Sequence, residues 1–159
     1  MAVDMFLKIN GIEGESSIKK HEGEIELLSF SWGLSQPSSS TGGGGGAGKV
    51  QVQDFSFVKT IDASSPKLME ACCSGQHLHD VTLTLATREK PQEFLKIKFS
   101  DVLISSYQTG GGATGGMVPV DQVSFNFRQI EVQSTGGKGS PAITCDFSSN
   151  EFVKLGHNH

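Results

Sequence analysis

Residues 24–36 alternate with a period of two. Leu28, Phe30, Trp32 and Leu34 fall on one side, and Ser29, Ser31, Gly33 and Ser35 fall on the other. Successive side chains leave a pleated strand in opposite directions, so this pattern predicts a strand with one face in a core and one face outside. The outside face is unusual in kind. Ordinary wet faces carry Lys and Glu, whereas this one is small, uncharged and smooth, which points to a surface turned toward something other than bulk water.

Residues 37–48 follow, reading Pro-Ser-Ser-Ser-Thr and then a glycine run interrupted by Ala47. Beyond them a second alternating run, 49–61, puts Phe55, Phe57 and Lys59 on one side and Asp54, Ser56 and Val58 on the other. A stretch of serine and glycine buries no apolar surface and resembles a flexible linker. Yet it joins two patterned strands rather than two domains. Its twelve residues span roughly 40 Å when extended at about 3.3 Å each. Loops of that length inside a domain are usually functional.

The remaining pattern is also β-rich. Residues 3–9 read as a strand ended by an Asn10-Gly11 turn, and the charge-mixed stretch 12–23 reads as a solvated loop. Ser65 is the expected N-cap of a short helix with Pro66 at its first position and Gly75 as its stop. Leu68, Met69, Ala71, Cys72 and Cys73 form its apolar face, and a helix of about ten residues must dock on a sheet to persist. Further strands are expected at 81–87, 93–106 and 118–133. In the second, Leu95, Ile97, Phe99 and Leu103 oppose Lys96, Lys98, Ser100 and Val102. In the third, Val123, Phe125 and Phe127 point inward, and Ser124, Asn126 and Arg128 outward. Residues 107–116, with five glycines, read as a second loose connection. The stretch 134–152 is the least legible, although Ile143, Cys145 and Phe147 fit one more short edge strand. Residues 1–153 read as one domain, and 154–159 as an appended remnant. This many strands with one helix predict a mainly β fold, either a sandwich or a closed barrel.

Several function classes lack support. The net charge is −4 and no basic cluster exceeds Lys19–Lys20, so nucleic acid is not an expected partner. No apolar run approaches the roughly 18 residues of a membrane span, and the first residues lack the basic start and apolar core of a signal peptide. Cys72, Cys73 and Cys145 do not make a disulfide framework, which fits synthesis in a reducing compartment. Residues 43–49 spell most of a phosphate-binding loop, but Val50 stands where a magnesium-binding hydroxyl belongs, and a strand follows instead of a helix. Cys72, Cys73, His77 and His79 lie close in sequence. Adjacent cysteines on a helix diverge by about 100°, however, which opposes convergence on one zinc. No nucleophile elbow or carboxylate pair is present, so no catalytic, cofactor-binding or metal-binding residues are expected and the chain does not read as an enzyme. What remains is surface. Bland strand faces and a long arm are features of assembly, and a closed ring satisfies strand edges that would otherwise be exposed.

The residues also resemble a known family. The start Met1-Ala2-Val3-Asp4-Met5-Phe6, Gly14-Glu15-Ser16, Ser31-Trp32-Gly33 with Ser35-Gln36, and the run 42–49 all match it. So do Val52-Gln53-Asp54 with Ser56-Phe57, Ile61-Asp62 through Ser65-Pro66, Leu68-Met69, Ala71-Cys72, Ser74-Gly75 and His77. Val102-Leu103-Ile104-Ser105-Ser106 and Asn126-Phe127 complete the match over about residues 1–130. Taken together they resemble the Hcp (haemolysin-coregulated protein) family, the tube subunit of the bacterial type VI secretion system. The tail after Gln133 departs from the family pattern.

The resemblance implies two sheets in a flattened β-barrel with one flanking helix, closing into a homohexameric ring. Rings would stack into a hollow tube, assembled in the bacterial cytoplasm, tipped by a spike protein and surrounded by a contractile sheath. Contraction would secrete the tube or deliver it into a target cell, with small effector proteins carried in its lumen. Ser29, Ser31 and Gly33 would face that lumen, Ser31 in the position that takes part in cargo binding. Pro37, Ser38, Ser39, Ser40, Thr41, Gly42, Gly43, Gly44, Gly45, Gly46, Ala47 and Gly48 would form the loop that contacts the next ring. Two other readings share parts of the pattern: a phage-type tail-tube subunit, and a monomeric secreted binding β-sandwich. The latter needs an aromatic platform, and the single Trp32 is on the expected core face.

Overall fold

A computed structural model of the chain describes residues 2–37, 49–90, 92–116, 118–135, 140–149 and 151–154. In chain order the elements are β1 (Val3–Ile9), β2 (Ile25–Glu26), β3 (Ser29–Ser31), β4 (Leu34–Ser35), β5 (Gln51–Val52) and β6 (Phe55–Thr60). They continue with α1 (Ser65–Ser74), β7 (His77–Thr87), β8 (Gln92–Gly110), β9 (Val120–Ser134), β10 (Ala142–Asp146) and β11 (Glu151–Lys154). Every strand pairing is antiparallel.

The main sheet closes on itself as a barrel. β1 pairs with β7, β7 with β8, β8 with β9, β9 with β6, and β6 with β3. Closure falls on two adjacent residues: the Leu27 N–H donates to the Met5 carbonyl at 2.9 Å, and the Leu28 N–H to the Val58 carbonyl at 2.7 Å. Neighbouring amides of an extended chain point to opposite sides, so this joint binds β1 with one hand and β6 with the other. β9 divides one of its edges. Its first half pairs with β6 and its second half with β10, which carries β11 beyond it.

That joint also explains a departure from the expected pattern. Ile25 and Leu27 are buried, whereas Leu28 and Leu34 are exposed. Of the four residues expected on the core face, only Phe30 and Trp32 pack against it. Changing partner between Leu27 and Leu28 shifts the inward parity by one residue and breaks the expected strand 24–36 into β2, β3 and β4. Ser29 and Ser31 keep the outward face they were assigned.

A second parity change crosses three strands at one level. Inward residues jump from Leu78 to Val81 in β7, from Phe99 to Val102 in β8, and from Phe127 to Ile130 in β9. Asp80, Ser100 and Gln129 are paired at that level, and the neighbouring Asp101 has φ of 55°, a left-handed value that Asp tolerates better than most residues. Val102 is therefore buried and Leu103 only half-buried, the reverse of the expected assignment. β8 also runs on to Gly110, so the first part of the expected loose connection at 107–116 is strand.

The core is a phenylalanine cluster centred on Phe55, whose ring lies 4.9 Å from those of both Phe99 and Phe125. Phe99 in turn meets Phe127 at 4.9 Å. Each fully buried side chain of this kind contributes about 1.5–3 kcal/mol through the area it removes from water. Leu68 and Ala71 of α1 join the same core, Cys72 packs against it and Cys73 is exposed. The helix begins one residue earlier than expected, capped at Ser64 without a side-chain bond, while Gly75 ends it in the left-handed region with its N–H on the Ala71 carbonyl.

Candidate functional site

The smooth face expected from residues 29–35 proves to be part of a wider wall. Ser31 of β3 is paired with Ser56 of β6, Ser56 with Ser124 of β9, and Ser124 with Ser106 of β8. Four serines thus form a single rung across four adjacent strands. The next rung reads Ser29, Val58, Gln122 and Gln108. Directly paired residues on one face have Cβ atoms about 4.5–5.5 Å apart, close enough to act as one surface. Ser56 and Ser124 share a hydroxyl hydrogen bond of 2.8 Å.

The rungs line an open trough of about 380 Å³. Among the described residues none that lines it is ionisable. A β-bulge makes the alignment work. The register between β8 and β9 shifts between Ile104 and Ser106, which leaves Ser105 as the extra residue and brings Ser106 opposite Ser124. Ser105 instead donates to the Asp54 carboxylate at 2.6 Å, at the rim of the wall.

Gly33 lies where the chain leaves the wall. Its carbonyl accepts the Gln53 N–H at 2.9 Å, and a Cβ there would meet the Gln53 side chain at 3.2 Å. β4 and β5 then form a separate two-stranded ribbon, which is the base from which the arm departs. Of the expected stacking loop, Pro37 is exposed, and positions 38–48 lie outside the described residues.

Behind the wall, a buried charge cluster fixes β6 to β9. Lys59 and Asp121 are paired in register and both fully buried, with Nζ 2.9 Å from Oδ2. Lys59 also donates to Asp62 Oδ1 at 2.9 Å, Ser65 Oγ at 3.0 Å and the Thr60 carbonyl at 3.1 Å. Ser65 Oγ and the Tyr107 hydroxyl both donate to the Asp121 carboxylate. Ser65 is therefore committed to this cluster as the first residue of the helix, one position past its cap at Ser64. Burial pushes the Asp121 carboxyl up, but the hydrogen bonds from Ser65, Lys59 and Tyr107, with the Lys59 charge, outweigh it and hold the group below its ordinary value. Burial and the Asp121 carboxylate together raise the Tyr107 phenol.

The other candidates are placed apart from the wall. His77 pairs with Asp101 at 2.7 Å on an exposed surface. Among the described residues no three His, Cys, Asp or Glu side chains gather as a metal site. No helix of the described residues is long and apolar enough to cross a membrane. Trp32 is half-buried, edge-on to Phe127 at 6.3 Å, so it offers no open aromatic platform.

Residues 6–133 match the family model described as "Type VI secretion system effector, Hcp". The chain belongs to the Hcp family. It is 50% identical over 135 residues to Protein hcp1 of Pseudomonas aeruginosa, covering 83% of each chain. The solved structure of Hcp1 from Salmonella typhimurium superposes with a TM-score of 0.84 at 33% identity, over 96% of this chain and 100% of that one. A type VI secretion system effector from Yersinia pestis gives a TM-score of 0.73 at 31% identity, with the same coverage. The barrel with one flanking helix is thus the fold of this Hcp chain and of its relatives alike.

Sequence reasoning found Ser29, Ser31 and Ser124 as outward residues but not the wall they share. Ser56 was placed opposite Phe55 and Phe57 without being joined to the others, and Ser106, Gln108 and Gln122 were missed. The available signal was parity: Ser56 opposes Phe55 and Phe57 in its own strand, as Ser124 opposes Phe125.

Proposed function

We propose that this Hcp chain is the structural subunit of a type VI inner tube. Six copies close into a ring with the serine rung turned to the channel. The carrying observation is the rung itself: four hydroxyl side chains in register across four strands, on a trough lined by no ionisable residue among those described. A surface of this kind offers many weak hydrogen bonds and no strong anchor. Repeated around a ring, such contacts hold a passenger protein through effective concentration even where one is negligible. Small effectors are the passengers. Pro37 and positions 38–48 reach to the adjacent ring, a spike protein tips the tube and a contractile sheath surrounds it. The tube assembles in the bacterial cytoplasm and leaves on contraction. The chain performs this role without catalysis.

Negative-stain microscopy of the purified protein tests the reading. Six-fold rings with an open centre are the expected result. A monodisperse single copy at high concentration, with Ser31 open to bulk solvent, would overturn it.

A further inference from the structure

The loop 12–24 is knitted by its own backbone: Gly14 N–H to the Gly23 carbonyl, Ser16 N–H to the Glu24 carbonyl and Gly23 N–H to the Ser16 carbonyl. Ile12 is buried in the core, and beyond it polar contacts tie the loop to the rest of the chain at two places. Near its start, the Glu15 carboxylate accepts the Ala63 N–H just before α1, at 2.8 Å. Near its end stands His21, almost wholly buried, with its ring stacked flat on Phe6 of β1 at 4.2 Å. Its Nδ1 is 2.9 Å from Glu24 Oε1 within the loop, and its Nε2 is 3.4 Å from Glu93 Oε1 on β8.

The chemistry of the ring makes this arrangement conditional. A neutral imidazole has one N–H donor and one bare acceptor nitrogen, whereas the imidazolium donates from both nitrogens. Carboxylates only accept. A neutral ring can therefore serve one of the two glutamates and sets a lone pair against the other. The charged groups facing the ring are Glu24 and Glu93. Phe6 covers the β1 side without charge, and Lys96 stands behind, 3.9 Å from the second Glu93 oxygen.

We propose that His21 is a proton-operated clasp. Charged, it joins the loop 12–24 to β8 through both carboxylates. Neutral, it retains the shorter bond to Glu24 and releases Glu93. Protonation of the ring accordingly holds the loop more firmly, and loss of that proton loosens it.

Amide hydrogen exchange of the full chain, corrected for intrinsic rates, reads this directly in peptides across 12–24. Protection is expected to be about threefold higher near pH 5.5 than near pH 8, the scale of a partly exposed ion pair. Glu93→Gln should flatten that difference and His21→Gln should abolish it, with the β1–β7 amides unchanged. Equal protection at both pH values in the parent chain would overturn the proposal, as would an acid gain that survives in Glu93→Gln. If His21→Gln fails to fold, the more exposed Glu93→Gln decides alone.

Discussion

Lys59 and Asp121 face each other across β6 and β9, both fully buried, with Nζ 2.9 Å from Oδ2. The pair is directly behind the rung of Ser29, Val58, Gln122 and Gln108, since Val58 and Gln122 are the neighbouring register partners. Removing one member leaves the other charged and buried, which costs about 3–5 kcal/mol. Lys59→Met should lower stability by that amount in urea unfolding, and Asp121→Asn by less, because Lys59 keeps its ion pair with Asp62. Lys59→Met with Asp121→Leu should recover part of the loss, but not all, because Asp62, Ser65 and Tyr107 remain polar around the site.

Acid should act through the same carboxylate. Asp121 is held below its ordinary value, so the unfolded chain binds more protons and stability rises with pH in that range. Its contribution is complete above the unfolded carboxyl value of about 3.9 and is lost as pH falls through the lower folded value. Tyr107→Phe removes one donor to this group, so the midpoint of acid unfolding should move to higher pH. Fluorescence of Trp32 across an acid titration checks the shift.

Phe55 touches Phe30, Phe57, Phe99 and Phe125 at the centre of the core. Phe55→Ala should destabilise by about 3–5 kcal/mol. Phe152 is 72% exposed on β11, and Phe152→Ala should change stability by no more than about 0.5 kcal/mol. Paired denaturation curves of the two variants make the comparison.

Ser31→Gln and Ser124→Gln alter the wall and not the core. Each should leave rings intact in size-exclusion chromatography while lowering the amount of a co-expressed effector that purifies with them. An unchanged effector level in both variants would remove the rung from the proposed role.

Deleting residues 39–47 should spare the ring and abolish stacking into tubes, as seen by microscopy. Loss of the ring itself would assign the arm to contacts within the ring.

Much of this architecture is legible from local pattern. The bounds of β1 follow from alternation and the Asn10-Gly11 turn, and α1 from Pro66, its apolar stripe and Gly75. The failures have a common cause. Leu28 was misplaced because a change of partner strand leaves no trace in side-chain chemistry. Val102 was misplaced because the parity reverses at the left-handed Asp101 and holds reversed through Ile104, until the bulge at Ser105 restores it. The wall was only half seen for the same reason. Parity marks Ser56 and Ser124 as outward, but their common rung is a matter of register, and Ser106 reaches it only through the bulge at Ser105. β10 and β11 are short, and β11 is exposed along its length, so their pattern carried little signal.

The joint at Leu27 and Leu28 has a mechanical meaning. A tug on the Ser31 hydroxyl is passed in both directions around the circumference, to Met5 on one side and Val58 on the other. The load then falls on many bonds in shear, like hoop tension in a cask, and among the described residues the closed circuit of β1, β7, β8, β9, β6 and β3 offers no free stave to be unzipped one bond at a time, unlike the outlying β11.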